Sequence, residues 1–80
     1  MNRNDILKII YQELEKVNAD HIPLKEQTDM TTDLNVDSVS VMDLMFAIEE
    51  EFDVAVPLND LADIRTIGEL ADLVEKIGAA

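Results

Sequence analysis

The sequence predicts an all-α fold, a small four-helix bundle with a long loop between its first and second helices and a short third helix. Three observations lead there. Apolar residues recur three and four positions apart in three separate segments, the spacing of one helix face. The one run with strand character, Val54-Ala55-Val56, is closed by Pro57 and has no second run to pair with, and a lone strand is not a stable element. Finally, 80 residues without a cysteine make a single domain, residues 1–80, that must stand on apolar burial with no disulfide or thiolate-metal support.

The first helix is expected from Asn4 to about Val17, where Ile6, Leu7, Ile10, Leu14 and Val17 share a face and Asn4 or Asp5 can cap the start. Lys8 and Lys16 interleave with Glu13 and Glu15 on the opposite face, an ordinary solvated arrangement. From Ala19 to Val36 the periodicity stops, Pro23 interrupts, and Thr28, Asp29, Thr31, Thr32, Asp33 and Asn35 supply turn and cap chemistry. So long a loop in so short a domain is uncommon unless it is functional, and Leu24, Met30 and Leu34 are expected to pin it to the core.

The second helix starts at Asp37-Ser38. Val41, Leu44, Met45, Ile48 and Phe52 form its core stripe, with the acids Asp43, Glu49, Glu50, Glu51 and Asp53 on other faces. Val39, Met42 and Phe46 fall on a second stripe. That stripe is either a docking surface or a second core face packed beneath the long loop. Pro57 suits the first turn of a short third helix through about Asp63. Thr66-Ile67-Gly68-Glu69 has capping-box spacing and opens a last helix, which buries Ile67, Leu70, Ala71, Val74 and Ile77 and has Gly78 as its stop.

Eighteen acidic residues against six basic ones give a net charge of −12. Nucleic acid and anionic membranes would repel such a chain, so its partners should be basic. The hydrophobic fraction of 48% excludes disorder. Neither the opening residues nor any later segment approaches a signal-peptide core or the roughly 20 apolar residues of a membrane span. A soluble, cytoplasmic monomer is expected, with no nucleic acid partner and no membrane insertion. The inventory also excludes His/Cys metal centres and Cys-His nucleophile pairs, and the lone His21 reads as a surface loop residue. Asp33, Asn35 and Asp37 imitate the first three ligands of a calcium loop, but Ser38 stands where glycine is needed and Leu44 where a bidentate glutamate is needed. With only Gly68 and Gly78 present there is no glycine-rich phosphate loop. No metal site and no catalytic residue are therefore expected.

What remains is Ser38, in the block Asp33-Leu34-Asn35-Val36-Asp37-Ser38-Val39. Its local reading is a helix N-cap. The start of a helix also suits a phosphate ester, because free N–H groups and the helix dipole favour an anion there. A serine with no base nearby can still be modified by another enzyme, given a distinctive surface around it. Asp37, Asp43, Glu49 and Glu50, interspersed with Val39, Met42 and Phe46, would offer that surface to a basic partner.

This block resembles the D-L-G-x-D-S-L motif of the acyl carrier protein family, and Ala47-Ile48-Glu49-Glu50-Glu51-Phe52 and Val56-Pro57 follow in the family's order. The resemblance covers nearly the whole chain. It implies an acyl-carrier-like bundle and a carrier that is not an enzyme, with a covalent 4′-phosphopantetheine arm on Ser38. It further implies that Asp37 aids recognition by the carrier-protein synthase, a phosphopantetheinyl transferase that takes the arm from magnesium-bound coenzyme A. The arm's thiol would hold acyl intermediates as thioesters and deliver them between acyl-transferring enzymes with basic docking patches. Asn35 stands at the family's glycine, which asparagine can replace where the turn is left-handed. Val39 replaces leucine, Ser40 stands where an acid is common, and Leu58-Asn59 follow Pro57 where fatty-acid carriers place acids. These departures thin the acidic surface and point to a discrete carrier in a fatty-acid or a specialised acyl, polyketide or lipid pathway. Two alternatives accompany this reading. One is an acidic helical interaction module without a prosthetic group; the other is an aminoacyl or peptidyl carrier, against which the missing G-G-x-S type motif counts.

Overall fold

A computed structural model describes residues 2–61 and 63–78, with the backbone alone at Ser38, Leu58 and Leu61. Its elements are α1 (Arg3–Glu15), α2 (Ser38–Phe52), α3 (Leu58–Leu61) and α4 (Ile67–Gly78). The fold is all-helical, and among the described residues the only β feature is an isolated antiparallel bridge between Asp29 and Thr66. The expected four-helix bundle is corrected to three full helices of 12 to 15 residues, with α3 a short piece of 4 among the described residues. Where Pro57 was expected to open a helix through about Asp63, one turn forms. Asp60 N–H donates to the Pro57 carbonyl at 3.2 Å, and so short a segment gains too few bonds to offset helix nucleation.

Two boundaries also shift. α1 begins at Arg3, capped by Asn2, whose side-chain Oδ1 accepts from the Asp5 amide at 2.9 Å. Neither Asn4 nor Asp5 is the cap. The helix closes at Glu15, leaving Val17 packed against the core from the following turn. The capping box of α4 forms as the spacing predicts: Thr66 Oγ1 accepts from the Glu69 amide at 3.1 Å, and Glu69 Oε1 accepts from the Thr66 amide at 2.9 Å. Gly78 is the last described residue of α4.

The core is built from Ile6, Ile10 and Leu14 of α1, Leu44 and Ile48 of α2, and Ile67, Leu70 and Val74 of α4, all fully buried. Helix α1 packs against both α2 and α4. Met30 and Leu34 are buried and Leu24 partly so, which pins the long loop as expected. Polar contacts hold it as well. The Asn18 side chain, 3% exposed, donates to the Ile22 carbonyl at 2.8 Å and accepts from the Ile22 amide at 3.0 Å, closing the turn after α1. The loop then runs alongside the entry to α4. Gly68 N–H donates to the Glu26 carbonyl at 2.8 Å, Ile67 N–H to Thr28 at 3.1 Å, and Met30 N–H to Arg65 at 2.8 Å.

Gly68 permits that approach. A Cβ there would lie 3.1 Å from the Glu26 carbonyl oxygen and 3.2 Å from the Glu26 Cβ, while the Gly68 amide holds the same carbonyl. Gly68→Ala should therefore lower the melting temperature, even though alanine is the better helix former by about 1 kcal/mol. Thermal unfolding followed by circular dichroism checks this. A melting temperature at or above that of the wild type would show that the loop simply yields.

The other tie is ionic. Arg3 donates from Nη1 to Asp72 and to Glu75, each at 2.6 Å, and from Nε to Glu26 at 3.1 Å, with Nη2 also reaching Glu26 and the Gly68 carbonyl. Hydrogen bonds from Glu26, then Glu75 and Asp72, hold its guanidinium pKa above the ordinary arginine value. In a chain this acidic, one cation joins α1, the loop and α4.

Candidate functional site at the start of the second helix

The loop reaches α2 through a knot of short-range hydrogen bonds. Asp29 Oδ1 accepts from the Thr31 and Thr32 amides, each at 2.9 Å, and the Asp29 amide donates to Asp33 Oδ2 at 2.8 Å. The Asp33 amide returns to the Asp29 carbonyl at 2.9 Å, Asn35 N–H donates to Thr31 at 3.1 Å, and Val36 N–H donates to Met30 at 2.9 Å. Asn35 has φ 54, in the left-handed region. The turn thus requires there what glycine supplies freely and asparagine tolerates better than most residues.

Asp37 follows in extended conformation (φ −88, ψ 176), its Oδ1 accepting from the Ser40 amide at 2.8 Å and its carbonyl from the Val41 amide at 3.0 Å. Asp37 is therefore the N-cap of α2, and the reading of Ser38 as the cap is corrected. The reason is positional: the cap stands outside the helix, and Ser38 is already the first helical residue. The Ser40 amide, chief among several donors, holds the Asp37 carboxyl below the usual aspartate range. The Ser38 side chain lies outside the described residues. Its neighbours Asp37 and Val39 are both exposed.

Beside it runs the second stripe of α2. Val39 is 68% exposed, Met42 36% and Phe46 57%. These exposures put the stripe on the surface rather than in a second core face. Asp43 and Glu50 are exposed. Glu49, expected to join them as a surface acid, is half-buried and accepts the Val56 amide on Oε2 at 3.0 Å. It holds the segment after α2, where the chain reverses through Asp53 in the left-handed region (φ 53). No periodicity argument could find that contact, because it joins a helix to the irregular chain beyond it.

Asp29, Asp37 and Glu69 all hold backbone amides, and all three carboxyls lie below their ordinary values, Asp29 chiefly through Thr32 and Glu69 chiefly through Thr66. A carboxyl with a lower pKa folded than unfolded contributes its full stability above the unfolded value, near 4, and loses it as pH falls through the folded value. Acid unfolding should thus steepen below about pH 4. Glu69→Gln keeps an acceptor but cannot titrate, and should flatten that limb in unfolding curves measured across acid pH. An unchanged limb would assign it to other carboxyls.

Among the described residues no helix is long and apolar enough to cross a membrane, and no three His, Asp or Glu side chains gather as a metal-binding set. The family model for the phosphopantetheine attachment site matches residues 5–74. The chain is 33% identical over 67 residues to an acyl carrier protein of Bdellovibrio bacteriovorus, covering 84% of this chain and 86% of that one. It belongs to the acyl carrier protein family. It is 30% identical over 74 residues to the acyl carrier protein of a Sulfurovum species, covering 92% and 95%. The solution structure of a holo acyl carrier protein from Geobacter metallireducens is similar with a TM-score of 0.74 at 29% identity, covering 96% of this chain and 85% of that one. As an acyl carrier protein, the chain serves as a carrier of acyl groups on a phosphopantetheine group. That group supplies the thiol its own residues lack.

Proposed function

We propose that Ser38 is the sole point of attachment of the 4′-phosphopantetheine arm. On this reading Asp37 is recognised by the carrier-protein synthase, and Val39, Met42, Asp43, Phe46 and Glu50 face the partner enzymes. Glu49 keeps a share in that surface through its charge while it holds Val56. The observation that carries the reading is the Asp37-Ser38 step at the mouth of α2, inside the matched family region, with both flanking residues exposed.

In the attachment step the Ser38 oxygen bonds to the phosphorus that bears pantetheine in coenzyme A. The pyrophosphate P–O bond breaks, adenosine 3′,5′-bisphosphate leaves, and the hydroxyl proton passes to a base of the synthase or solvent. The N-terminal end of α2 favours the resulting negative phosphodiester. Thereafter the carrier catalyses nothing itself; exposed apolar side chains flanked by acids suit enzymes that present an apolar pocket ringed by basic residues.

The test is intact mass after incubation with coenzyme A, magnesium and a carrier-protein synthase, followed by peptide mapping. One phosphopantetheine on Ser38 is expected. An arm on another residue overturns the assignment, and an unchanged mass overturns it in favour of the interaction-module reading.

A further inference from the structure

We propose that Asp29 is a positioning residue for arm attachment: its carboxylate shapes the turn that sets where Asp37 and Ser38 meet the synthase. The inference rests on the attachment reading above and deepens it.

Asp29 lies outside α2, but the hydrogen bonds of its turn reach Asn35 and Val36, which the chain joins directly to Asp37. By accepting from Thr31 and Thr32, its carboxylate folds residues 29–33 into one turn. That turn brings the Thr31 carbonyl to the Asn35 amide at 3.1 Å and the Asp29 carbonyl to the Asp33 amide at 2.9 Å. Asn35 is thereby held in its left-handed conformation (φ 54) immediately before Val36 and Asp37. The adjoining residue, Met30, is fixed on both sides, its amide to the Arg65 carbonyl at 2.8 Å and its carbonyl to the Val36 amide at 2.9 Å. Arg65 Nε also stands 3.6 Å from Asp29 Oδ2.

The approach to Ser38 is thus referenced to the entry of α4 through Asp29 and Met30 as well as to α2. Buried Met30, Leu34 and Val36 keep the knot seated on the core. Without the Asp29 acceptor, the Thr31 and Thr32 amides turn to water, and the knot keeps its apolar anchors but loses its fixed path. The α2 docking surface is untouched, so binding to the synthase should survive while the geometry of the reacting serine degrades. Small misplacements of this kind cost rate more than affinity.

The experiment compares wild type, Asp29→Ala and Asp29→Asn as substrates of a carrier-protein synthase. Folding is checked by the amide chemical shifts of α1 and α4. Asp29→Ala should lower kcat on the order of tenfold with KM little changed, and shift the amides of Asn35 to Val39. Asp29→Asn retains the acceptor for both threonine amides and should restore kcat. If alanine unfolds the chain, the same comparison is made with Asp29→Ser, whose shorter, weaker acceptor should give an intermediate kcat.

Wild-type kcat in the folded alanine or serine variant overturns the inference. So does a loss that asparagine fails to restore, or one that falls on KM alone. A wild-type chain that takes no arm on Ser38 overturns the attachment reading, and this inference with it, and is told apart by the mass map of the wild type itself.

Discussion

Ser38→Ala is expected to abolish arm attachment completely in a protein that remains folded, the largest functional effect available from one substitution. The expectation of intact folding follows from the cap assignment. Asp37 accepts the first-turn amide, Ser40 N–H, at 2.8 Å, so removing the Ser38 hydroxyl removes no such cap, and alanine is the most favourable residue for a helical position. Ser40 is the internal control, two residues further into the same helix. Ser40→Ala should load as wild type does. Intact mass and thermal unfolding of the two variants settle the matter together: an arm on Ser38→Ala, or its absence from a folded Ser40→Ala, moves the attachment point.

The second large effect separates the two faces of α2. Ile48 is 0% exposed and Phe46, two residues away, is 57% exposed. Ile48→Ala should destabilise the domain by about 2–5 kcal/mol through lost burial and the cavity it leaves. That is a large part of the roughly 5–15 kcal/mol typical of a folded domain. Phe46→Ala should melt close to wild type but slow arm or acyl transfer with partner enzymes by roughly tenfold, the loss expected of an anchor at the centre of an interface. Met42→Ala belongs with Phe46. Among the acids, Glu50→Lys is the cleaner probe of charge steering, because Glu49 also holds the Val56 amide; association should slow and lose part of its salt dependence. Wild-type transfer kinetics in Phe46→Ala and Met42→Ala would place the partner surface elsewhere, and a large fall in their stability would return the stripe to the core.

How much of this was legible in the sequence depends on what produces each feature. Apolar periodicity is local, so α1, α2 and α4 and their buried faces were readable to within a few residues, and the Thr66-Glu69 capping box carries its own spacing. Asn35 at a position wanted by glycine foretold a left-handed turn. The cap of α2 was misassigned by one residue because Asp37 and Ser38 are both good caps, and only the backbone path decides between them. α3 was overread because proline signals a start but cannot supply the length that makes a helix stable. The pairing of the loop with the entry to α4, the Arg3 cluster and the Glu49–Val56 bond were not legible. They join segments distant in sequence, or a helix to irregular chain, and follow no repeating pattern. At the site, the Asp37-Ser38 motif stood out from residue types alone, while the supporting role of Asp29 emerges only from the hydrogen bonds around it.

The position of α1 bears on how this domain comes into being during synthesis. α1 leaves the ribosome before α4, yet α4 is one of its two packing partners, and Arg3 meets acids 69 and 72 residues further along the chain. Contacts so distant in sequence cannot form early, and a topology that depends on them folds more slowly than one built from neighbours. A nascent chain lacking α4 has Ile6, Ile10 and Leu14 without their full complement of neighbours, so cooperative folding waits for α4 to emerge. If the arm is attached at Ser38 as proposed, it should be added only after α4 has been made, because the loop that leads to Ser38 is hydrogen-bonded to Arg65, Ile67 and Gly68.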